Sequence, residues 1–324
     1  MKKRKQTNSI IFIVVLLALT VSLILFFACA EKVIDETADP DSKGSDHRGM
    51  FYNEQWYELN SNIETVLVMG IDSMETPDGS RADSEQADFI ALLAIDDLNK
   101  TFSVLHINRD TMTTIVQRND AGEKYGTFKG QLALAHAYGG GEDKLRCRNT
   151  VDVVENLLYN IDIDHYFSVT MDAVPIINDS IGGVTVTLNE DLPALGEEFV
   201  KGASVTLEGD NALAFVRWRG GEAEESNLDR MERQRQYISA LFDKYTTADL
   251  ENVLDVLNDV NGYVVSESTF DQLKRLMERL QGYEYEETIS LKGEARKDGE
   301  FVEYHIDEAA AKETVLSLFY KIEE

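Results

Sequence analysis

The chain has 324 residues, of which 59 are acidic and 31 are lysine or arginine, and its formal net charge is −28 at pH 7. So acidic a chain is not expected to bind nucleic acid, because its non-specific attraction to a phosphate backbone has the wrong sign. The two cysteines, Cys29 and Cys147, provide no disulfide framework, since Cys29 falls within an apolar run near the N-terminus.

The N-terminus has the pattern of a membrane anchor. Residues 2–5 are basic, and residues 10–30 (IIFIVVLLALTVSLILFFACA) carry no charge. As a helix this run is about 31 Å long, enough to cross a hydrocarbon core. The positive-inside rule then places residues 1–9 in the cytoplasm and the C-terminal domain outside the cell, as a single-pass protein of the cell membrane. A cleavable signal peptide and lipidation of Cys29 are the alternatives, although the apolar run is longer than a usual signal sequence.

The next segments in the chain predict a tether and then three strands. Residues 31–60 are polar and acidic, and we expect an extracellular tether there. Residues 64–69, 89–95 and 101–107 are short apolar or alternating runs, which predict strands, and turn residues at 96–99 join the last two as a hairpin. Residues 129–138 (KGQLALAHAY) predict a helix that ends at three consecutive glycines.

Helices and strands alternate in the remainder of the chain. The predicted helices are at 149–158, 171–181, 207–217, 226–245, 249–260, 268–280 and 307–320, and the predicted strands are at 166–170, 184–188 and 286–291. Alternation of this kind predicts a layered α/β domain. We place its catalytic core at 61–250 and a C-terminal extension, packed on that core, at 251–324.

Arginines are concentrated in residues 209–235, which contain Arg217, Arg219, Arg230, Arg233 and Arg235 and no lysine. In so acidic a chain this cluster predicts a site for a polyanion, because guanidinium groups recognise carboxylate or phosphate in a bidentate way. Arg230 and Arg233 are three residues apart near the start of a predicted helix, where anions are also favoured. Surface ion pairs with the neighbouring acidic residues are the alternative interpretation.

Charged residues also stand at the ends of the predicted strands. Asp72 follows the first of these strands, Asp88 precedes the second, and Arg109 and Asp110 follow the third. Strand ends meet at the edges of an α/β sheet, where ligands bind, so we expect these side chains to lie together. An aspartate at a strand end is also typical of a turn or a helix cap, which is the alternative for each of these residues taken singly. The adjacent Arg109 and Asp110 are also compatible with a local ion pair.

The order of these motifs resembles the LytR-CpsA-Psr family over roughly residues 60–245. The resemblance comprises GIDS at 70–73, an aspartate at the start of the next strand, RDT at 109–111, AHAYGGG at 135–141, IDHY at 163–166 and IGGVTV at 181–186. ALAFVRWR at 212–219 and RMERQRQ at 230–236 are the most distinctive runs.

That resemblance implies a bacterial, single-span, outward-facing protein with a three-layer α/β/α core around a mostly central mixed sheet. It implies a phosphotransferase that moves an anionic glycopolymer, of the wall teichoic acid or capsular type, from a polyprenyl-pyrophosphate carrier to peptidoglycan as a phosphodiester. The lipid-linked glycopolymer, peptidoglycan and membrane lipid are the implied partners. A lipid pyrophosphate hydrolase with the same site and a non-catalytic envelope regulator that binds polyprenyl pyrophosphate are the alternatives.

The resemblance also assigns residues to roles. The metal-associated carboxylates fall on Asp72 and Asp88 and imply Mg²⁺, a cation that prefers oxygen ligands. The residues that bind pyrophosphate are Arg109, Arg217, Arg219 and Arg230, to which we add Arg233 from the same helix. The catalytic residues are Arg109, Arg217, Arg219 and Asp229. Phosphoryl transfer depends mostly on positioning and charge neutralisation, which suits a cluster of arginines.

The chain departs from the family pattern at three positions. Gln86 stands where an arginine is usual, with Arg81 as a candidate substitute, and Asn108 replaces a usual proline. Asn227 stands where the family often has an aspartate, and an amide cannot act as a general base. Asp229 is our candidate for that role, and a helix first-turn charge is the simpler alternative.

Overall fold

A mixed six-stranded sheet forms the centre of the protein, in a computed structural model that describes residues 49–72, 85–218, 226–245, 259–268, 272, 283–298 and 301–322. The strands are β1 Gly49–Tyr52, β2 Gln55–Leu59, β3 Ile63–Asp72, β4 Gln86–Asp96, β5 Thr101–His106, β6 Met112–Arg118, β7 Lys124–Gln131, β8 His165–Thr170, β9 Val184–Thr187, β10 Ser204–Leu207, β11 Val264–Ser266, β12 Glu284–Ser290, β13 Gly293–Asp298, β14 Phe301–Ile306 and β15 Tyr320–Ile322. The described helices are α1 Leu134–Ala137, α2 Asp143–Leu157, α3 Ala173–Ser180, α4 Asp210–Arg217, α5 Ser226–Tyr245 and α6 Glu308–Phe319.

The central sheet has the strand order β11-β8-β3-β4-β5-β12. β3 is parallel to β8, and β5 is parallel to β12, whereas β4 is antiparallel to both of its neighbours. β3 is buried from Thr65 to Ile71, which explains why its sequence is a continuous apolar run rather than an alternation of apolar and polar residues. The mixed α/β fold predicted from the sequence is confirmed.

Helices cover both faces of the central sheet. On one face, Leu67 belongs to a buried cluster that includes Val154 of α2 and Phe319 of α6. On the other face, Val104 belongs to a second cluster, and Phe89 connects that cluster to the buried side chains of α4 and α5. Burial of both faces holds the sheet in place, so the ends of its strands form a firm base for a site.

Residues 112–131 form a hairpin of β6 and β7 that the sequence analysis does not predict. The turn between the two strands is held by Asn119, whose side-chain oxygen accepts from the backbone amides two and four residues later, at 3.1 and 2.9 Å. The predicted helix at 129–138 is wrong in its first part, because β7 continues to Gln131 and only α1 is helical. β-Branched residues in β6 and cross-strand pairing outweigh the helical propensity of the alanine- and leucine-rich segment.

Residues 49–59, predicted as the end of the tether, are folded as the hairpin of β1 and β2. Its turn residues Asn53 and Glu54 have φ angles of 48° and 65°, the left-handed conformation that two-residue hairpin turns require. Trp56 packs over Gly49, where a Cβ atom would meet the indole ring at 2.2 Å. β15 adds a third strand to this small sheet, so both ends of the described chain meet there.

Both edge strands of the central sheet come from the segment predicted as a C-terminal extension. β11 pairs with β8, and β12 pairs with β5, so this segment contributes to the central sheet itself. Tyr304 in β14 donates its backbone amide to the carbonyl of Asp110 at 2.9 Å, which places the β13–β14 hairpin beside the end of β5. The predicted helices at 249–260 and 268–280 lie mostly outside the described residues.

The predicted cytoplasmic tail at 1–9, membrane helix at 10–30 and tether residues 31–48 also lie outside the described residues. Within the part of the chain that the structure describes, no helix is long and apolar enough to cross a bilayer.

Helix α6 begins at the N-cap residue Asp307, whose Oδ1 accepts from the backbone amides of Ala309 and Ala310 at 3.0 and 3.1 Å. We expect Asp307→Ala to lower the free energy of unfolding by about 1 kcal/mol, the usual cost of losing an N-cap oxygen. Urea unfolding followed by circular dichroism measures the change. Asp307→Asn retains a capping oxygen and is the control; an equal loss in both variants would contradict the capping role.

Candidate active site

The candidate site is centred on Asp88, a buried carboxylate in β4. Asp88 lies beside an irregularity in the pairing of β3 with β4. Its Oδ1 forms an ion pair with Nη1 of Arg109, and its Oδ2 accepts from Nη1 of Arg230 at 2.9 Å. All three side chains are at least nine-tenths buried. Burying charges is costly unless they are paired, and here one carboxylate holds two guanidinium groups.

A turn after β5 places Arg109 where its side chain reaches Asp88 on the neighbouring strand β4. In this turn, Thr111 donates its backbone amide to the carbonyl of Asn108 at 3.0 Å. The side chain of Asn108 accepts from the backbone amide of Asp110 at 2.9 Å. A proline at position 108 could not supply that side-chain oxygen, so the departure from the family pattern supports the turn.

Gln86 and Asp110 complete the surroundings of the Arg109 guanidinium. Nη2 of Arg109 donates to Oε1 of Gln86, and Nε of Arg109 lies 3.2 Å from Oδ1 of Asp110. With Asp88, three side chains therefore fix the plane of this guanidinium, two from β4 and one from the turn after β5. Gln86 is an acceptor for Arg109 here, while Arg81, the candidate substitute for a family arginine, lies outside the described residues.

A second ion pair lies at the same edge of the sheet. Asp72 is the last residue of β3 and pairs in register with Gln86, two residues before Asp88. Oδ1 of Asp72 is 2.5 Å from Nη2 of Arg217, the last residue of α4. The Arg217 side chain is 30% exposed and that of Asp72 is 18% exposed, so this pair is half-buried and more accessible than the pairs of Asp88. The predicted site residue Arg219 lies outside the described residues.

Arg233 and Asp229 line a cleft that neighbours the Arg230 site on α5. Arg233 is buried, forms an ion pair with Glu190 and donates to the carbonyl of Trp218. Asp229 lines the same cleft as Arg233 and Glu190. Three residues along a helix leave two side chains about 60° apart around its axis, so Arg230 and Arg233 are neighbours, yet they pair with different carboxylates, Asp88 and Glu190. The structure thus brings Arg109, Arg217 and Arg230 to one edge and places Arg233 beside a separate cleft.

Asp72 and Asp88 are suited to a magnesium ion by their chemistry. Both offer carboxylate oxygens from neighbouring strands, and each carboxylate oxygen has a second lone pair beyond the one used by an arginine. Among the described residues, no group of three or more carboxylate, imidazole or thiol side chains is arranged to hold a metal. A magnesium ion here would therefore need phosphate oxygens and water as further ligands, as is usual for this cation.

Gln234 is a buried polar residue of α5 that the sequence analysis missed. Its Nε2 donates to the carbonyl of Val216 at 3.5 Å. Within the described part of the chain its Oε1 has no hydrogen-bond partner. The available signal was its position four residues after Arg230, a spacing that places both side chains on one helix face.

His106 is the last residue of β5 and stands three residues before Arg109. Its side chain is buried, and its ring centroid lies 4.9 Å from that of Phe89. Burial, with the charge of Arg235 as a second cause, lowers the pKa of His106 to about 3. The histidine is therefore neutral at neutral pH, and the positive charge of the site comes from arginines.

We expect His106 to make the fold sensitive to acid. Its pKa falls from 6.5 to about 3 on folding, so between these values the unfolded chain binds a proton that the folded chain does not. Above pH 6.5 this effect is absent, and below it the free energy of unfolding falls by about 1.4 kcal/mol per pH unit. His106→Phe should remove that slope between pH 6.5 and 5, measured by urea unfolding, whereas the partly exposed His305→Gln should keep it. Parallel slopes for wild type and His106→Phe would contradict the neutral buried histidine.

Arginines held by carboxylates at the edge of a mixed sheet define an α/β protein with an anion-binding site. The sequence profile of the LytR_cpsA_psr family matches residues 26–318. The chain belongs to this family, and the resemblance noted from the motifs is confirmed.

Relatives and solved structures agree with this assignment. The polyisoprenyl-teichoic acid–peptidoglycan teichoic acid transferase TagU of Bacillus subtilis is 28% identical over 261 residues, which cover 80% of this chain and 78% of TagU. TagU of Halalkalibacterium halodurans is 33% identical over 177 residues, 55% of this chain and about half (51%) of that relative. The crystal structure of TagV from Bacillus subtilis is similar with a TM-score of 0.58 and 25% identity, over 80% of this chain and 98% of TagV.

Proposed function

We propose that this protein is a membrane-anchored phosphotransferase. It moves an anionic glycopolymer, of the wall teichoic acid or capsular type, from a polyprenyl-pyrophosphate carrier to peptidoglycan and forms a phosphodiester. The observation that supports this most is the pair of guanidinium groups, Arg109 and Arg230, held by one buried carboxylate, Asp88. The TagU relatives are named as transferases of teichoic acid from a polyisoprenyl carrier to peptidoglycan, which supports the proposal.

The arrangement fits a pyrophosphate better than an isolated carboxylate ligand. Arg109, Arg217 and Arg230 come from a turn after β5, the end of α4 and the start of α5, so they approach one edge from different directions. A charge-assisted hydrogen bond contributes about 1.5–3 kcal/mol, and three such groups match a ligand with several anionic oxygens. Because the guanidinium groups are already fixed by carboxylates, little reorganisation is needed when charge develops in the transition state.

In the reaction, a hydroxyl of peptidoglycan attacks the phosphorus that carries the glycopolymer. A new P–O bond forms to that hydroxyl oxygen, and the bond to the bridging oxygen of the pyrophosphate breaks, which releases polyprenyl phosphate. Arg109, Arg217 and Arg230 neutralise the charge that moves to the leaving phosphate. Asp229 is the candidate to accept the proton of the hydroxyl, since Asn227 cannot. Arg219 completes the proposed set of cations at the pyrophosphate, and Arg233 would contact the substrate from the neighbouring cleft.

Asp72 and Asp88 are the residues that would hold Mg²⁺ in this proposal. When bound, the ion neutralises phosphate charge and supplies electrophilic assistance. The predicted span at 10–30 would keep the domain at the outer face of the cell membrane, where a lipid-linked donor is confined. The membrane lipid, the donor glycopolymer and peptidoglycan are thereby brought to one surface.

Reconstitution with the full-length protein in detergent micelles tests this proposal. The assay supplies a polyprenyl-pyrophosphate-linked saccharide, Mg²⁺ and an uncrosslinked peptidoglycan oligomer, and follows the products by mass spectrometry. We expect a phosphodiester-linked conjugate together with polyprenyl phosphate, and loss of both with a chelator. Polyprenyl phosphate without a conjugate would instead identify a hydrolase. Binding of the lipid donor without turnover, where a positive control reacts, would identify a non-catalytic regulator.

A further inference from the structure

An open cleft of about 140 Å³ lies between α5 and the segment that follows β9. Arg233 and Gln236 line it from α5, and Asn189 and Glu190 line it from the opposite segment. Phe215 of α4, which is fully buried, also contributes to its lining. The cleft therefore combines charged and amide groups with an apolar surface.

The charges in the cleft restrict what it can bind. Glu190, Asp229 and Glu232 line it together with a single guanidinium, so carboxylates outnumber cations and a phosphate would be repelled. The described residues contain no group of three or more acidic, histidine or cysteine side chains arranged for a metal. A purely apolar ligand would leave these charged and amide groups without water. An uncharged ligand that both donates and accepts many hydrogen bonds satisfies all three conditions.

The buried guanidinium of Arg233 points to the same kind of ligand. Its side chain is only 3% exposed, one terminal nitrogen pairs with Glu190, and the other donates to the carbonyl of Trp218. Its Nε has no hydrogen-bond partner among the described residues. A buried donor without an acceptor is costly, and a ligand hydroxyl or carbonyl oxygen would satisfy it.

We propose that this cleft binds one pyranose residue of a glycan substrate, an inference that rests on the proposed phosphotransferase function. A sugar ring has hydroxyl groups that can pair with the carboxylates and amides of the cleft. The volume is close to that of an engineered cavity of about 150 Å³ that accepts a benzene ring, so a six-membered ring is of suitable size. Arg230, one turn before Arg233, faces Asp88, so a sugar in the cleft lies one helical turn from the pyrophosphate site.

Two glycans could supply this pyranose, the acceptor peptidoglycan and the donor saccharide, and one experiment separates them. Asn189→Ala and Gln236→Ala remove lining amides without removing a charge, and Asn211→Ala removes an exposed amide of α4 that does not line the cleft. With the full-length protein, KM is measured separately for the peptidoglycan oligomer and for the lipid-linked donor. We expect Asn189→Ala and Gln236→Ala to raise one KM by about tenfold, equivalent to one lost hydrogen bond. The kcat should change much less, and Asn211→Ala should resemble wild type.

A rise confined to the peptidoglycan KM assigns the cleft to the acceptor, and a rise confined to the donor KM assigns it to the donor. If Asn189→Ala and Gln236→Ala are active and both of their KM values equal those of wild type, the cleft does not bind a sugar. The proposed phosphotransferase function would be unaffected by that result. If the wild-type protein shows no transfer at all, the proposed function fails. A direct measurement of saccharide binding then tests whether the cleft is a sugar site. Saturation-transfer NMR with a lipid-free peptidoglycan tetrasaccharide should then show contact with wild type and loss in Gln236→Ala. Equal signals in both proteins, with this tetrasaccharide and with the lipid-free donor saccharide alike, would exclude the cleft as a sugar site.

Discussion

Asp88→Asn is expected to lower the free energy of unfolding by about 3–5 kcal/mol, the usual cost of breaking a buried ion pair from one side. The substitution removes the carboxylate charge that Arg109 and Arg230 share. Two buried guanidinium groups are then left without their common counter-charge. For a domain of this size the loss corresponds to a melting temperature lower by about 10 °C. Thermal unfolding of the full-length protein followed by circular dichroism measures it.

The same carboxylate substitution elsewhere at the site gives a matched control. Asp72 pairs with Arg217, and the two side chains are 18% and 30% exposed, so breaking this half-buried pair costs less than breaking a fully buried one. Asp72→Asn should therefore lower the melting temperature by clearly less than Asp88→Asn does. Inorganic pyrophosphate should raise the melting temperature of Asp88→Asn more than that of wild type, because the anion replaces the missing charge. An Asp88→Asn protein as stable as Asp72→Asn would contradict the buried pair as a structural centre.

Much of the fold follows from local patterns in the sequence. The central strands β3, β4 and β5 are long apolar runs bounded by turn residues, and they lie where predicted. Helix α5 spans Ser226–Tyr245, as its start signal and its apolar stripe predict. The β6–β7 hairpin was missed because its second strand continues into a segment whose composition favours a helix. Pairing between the two strands decided that case, and the composition of the second strand alone does not reveal it.

The sequence predicts which residues belong to the site better than it predicts which of them contact one another. Strand ends and the arginine cluster identify Asp72, Asp88, Arg109 and Arg230 without any coordinates. The sharing of Asp88 by two arginines was not predictable, since Arg230 is 142 positions away in sequence and reaches it only through the packing of α5. The ion pair of Arg233 with Glu190 is similar, because nothing in the segment after β9 marks Glu190 as a partner.

Arg230→Ala is expected to lower kcat for glycopolymer transfer by about 10²–10³, the usual effect of removing one preorganised group that stabilises developing charge. Arg230 is only 2% exposed and contacts Asp88 directly, so no other side chain can take its place without moving the helix. Asp88 keeps its ion pair with Arg109 in this variant. The fold should therefore be disturbed less than by Asp88→Asn, and a melting curve checks this.

Two further variants on α5 separate loss of the guanidinium from loss of charge. Arg230→Lys keeps the charge but not the planar fork that grips phosphate oxygens, and we expect a kcat between those of wild type and Arg230→Ala. Arg235→Ala removes an arginine that is 40% exposed and pairs with Glu232, and it should leave kcat within about threefold of wild type, as for surface ion pairs generally. Equal activity of Arg230→Ala and Arg235→Ala would mean that the buried arginine only holds Asp88. In that case Arg109 and Arg217 would have to neutralise the leaving phosphate alone.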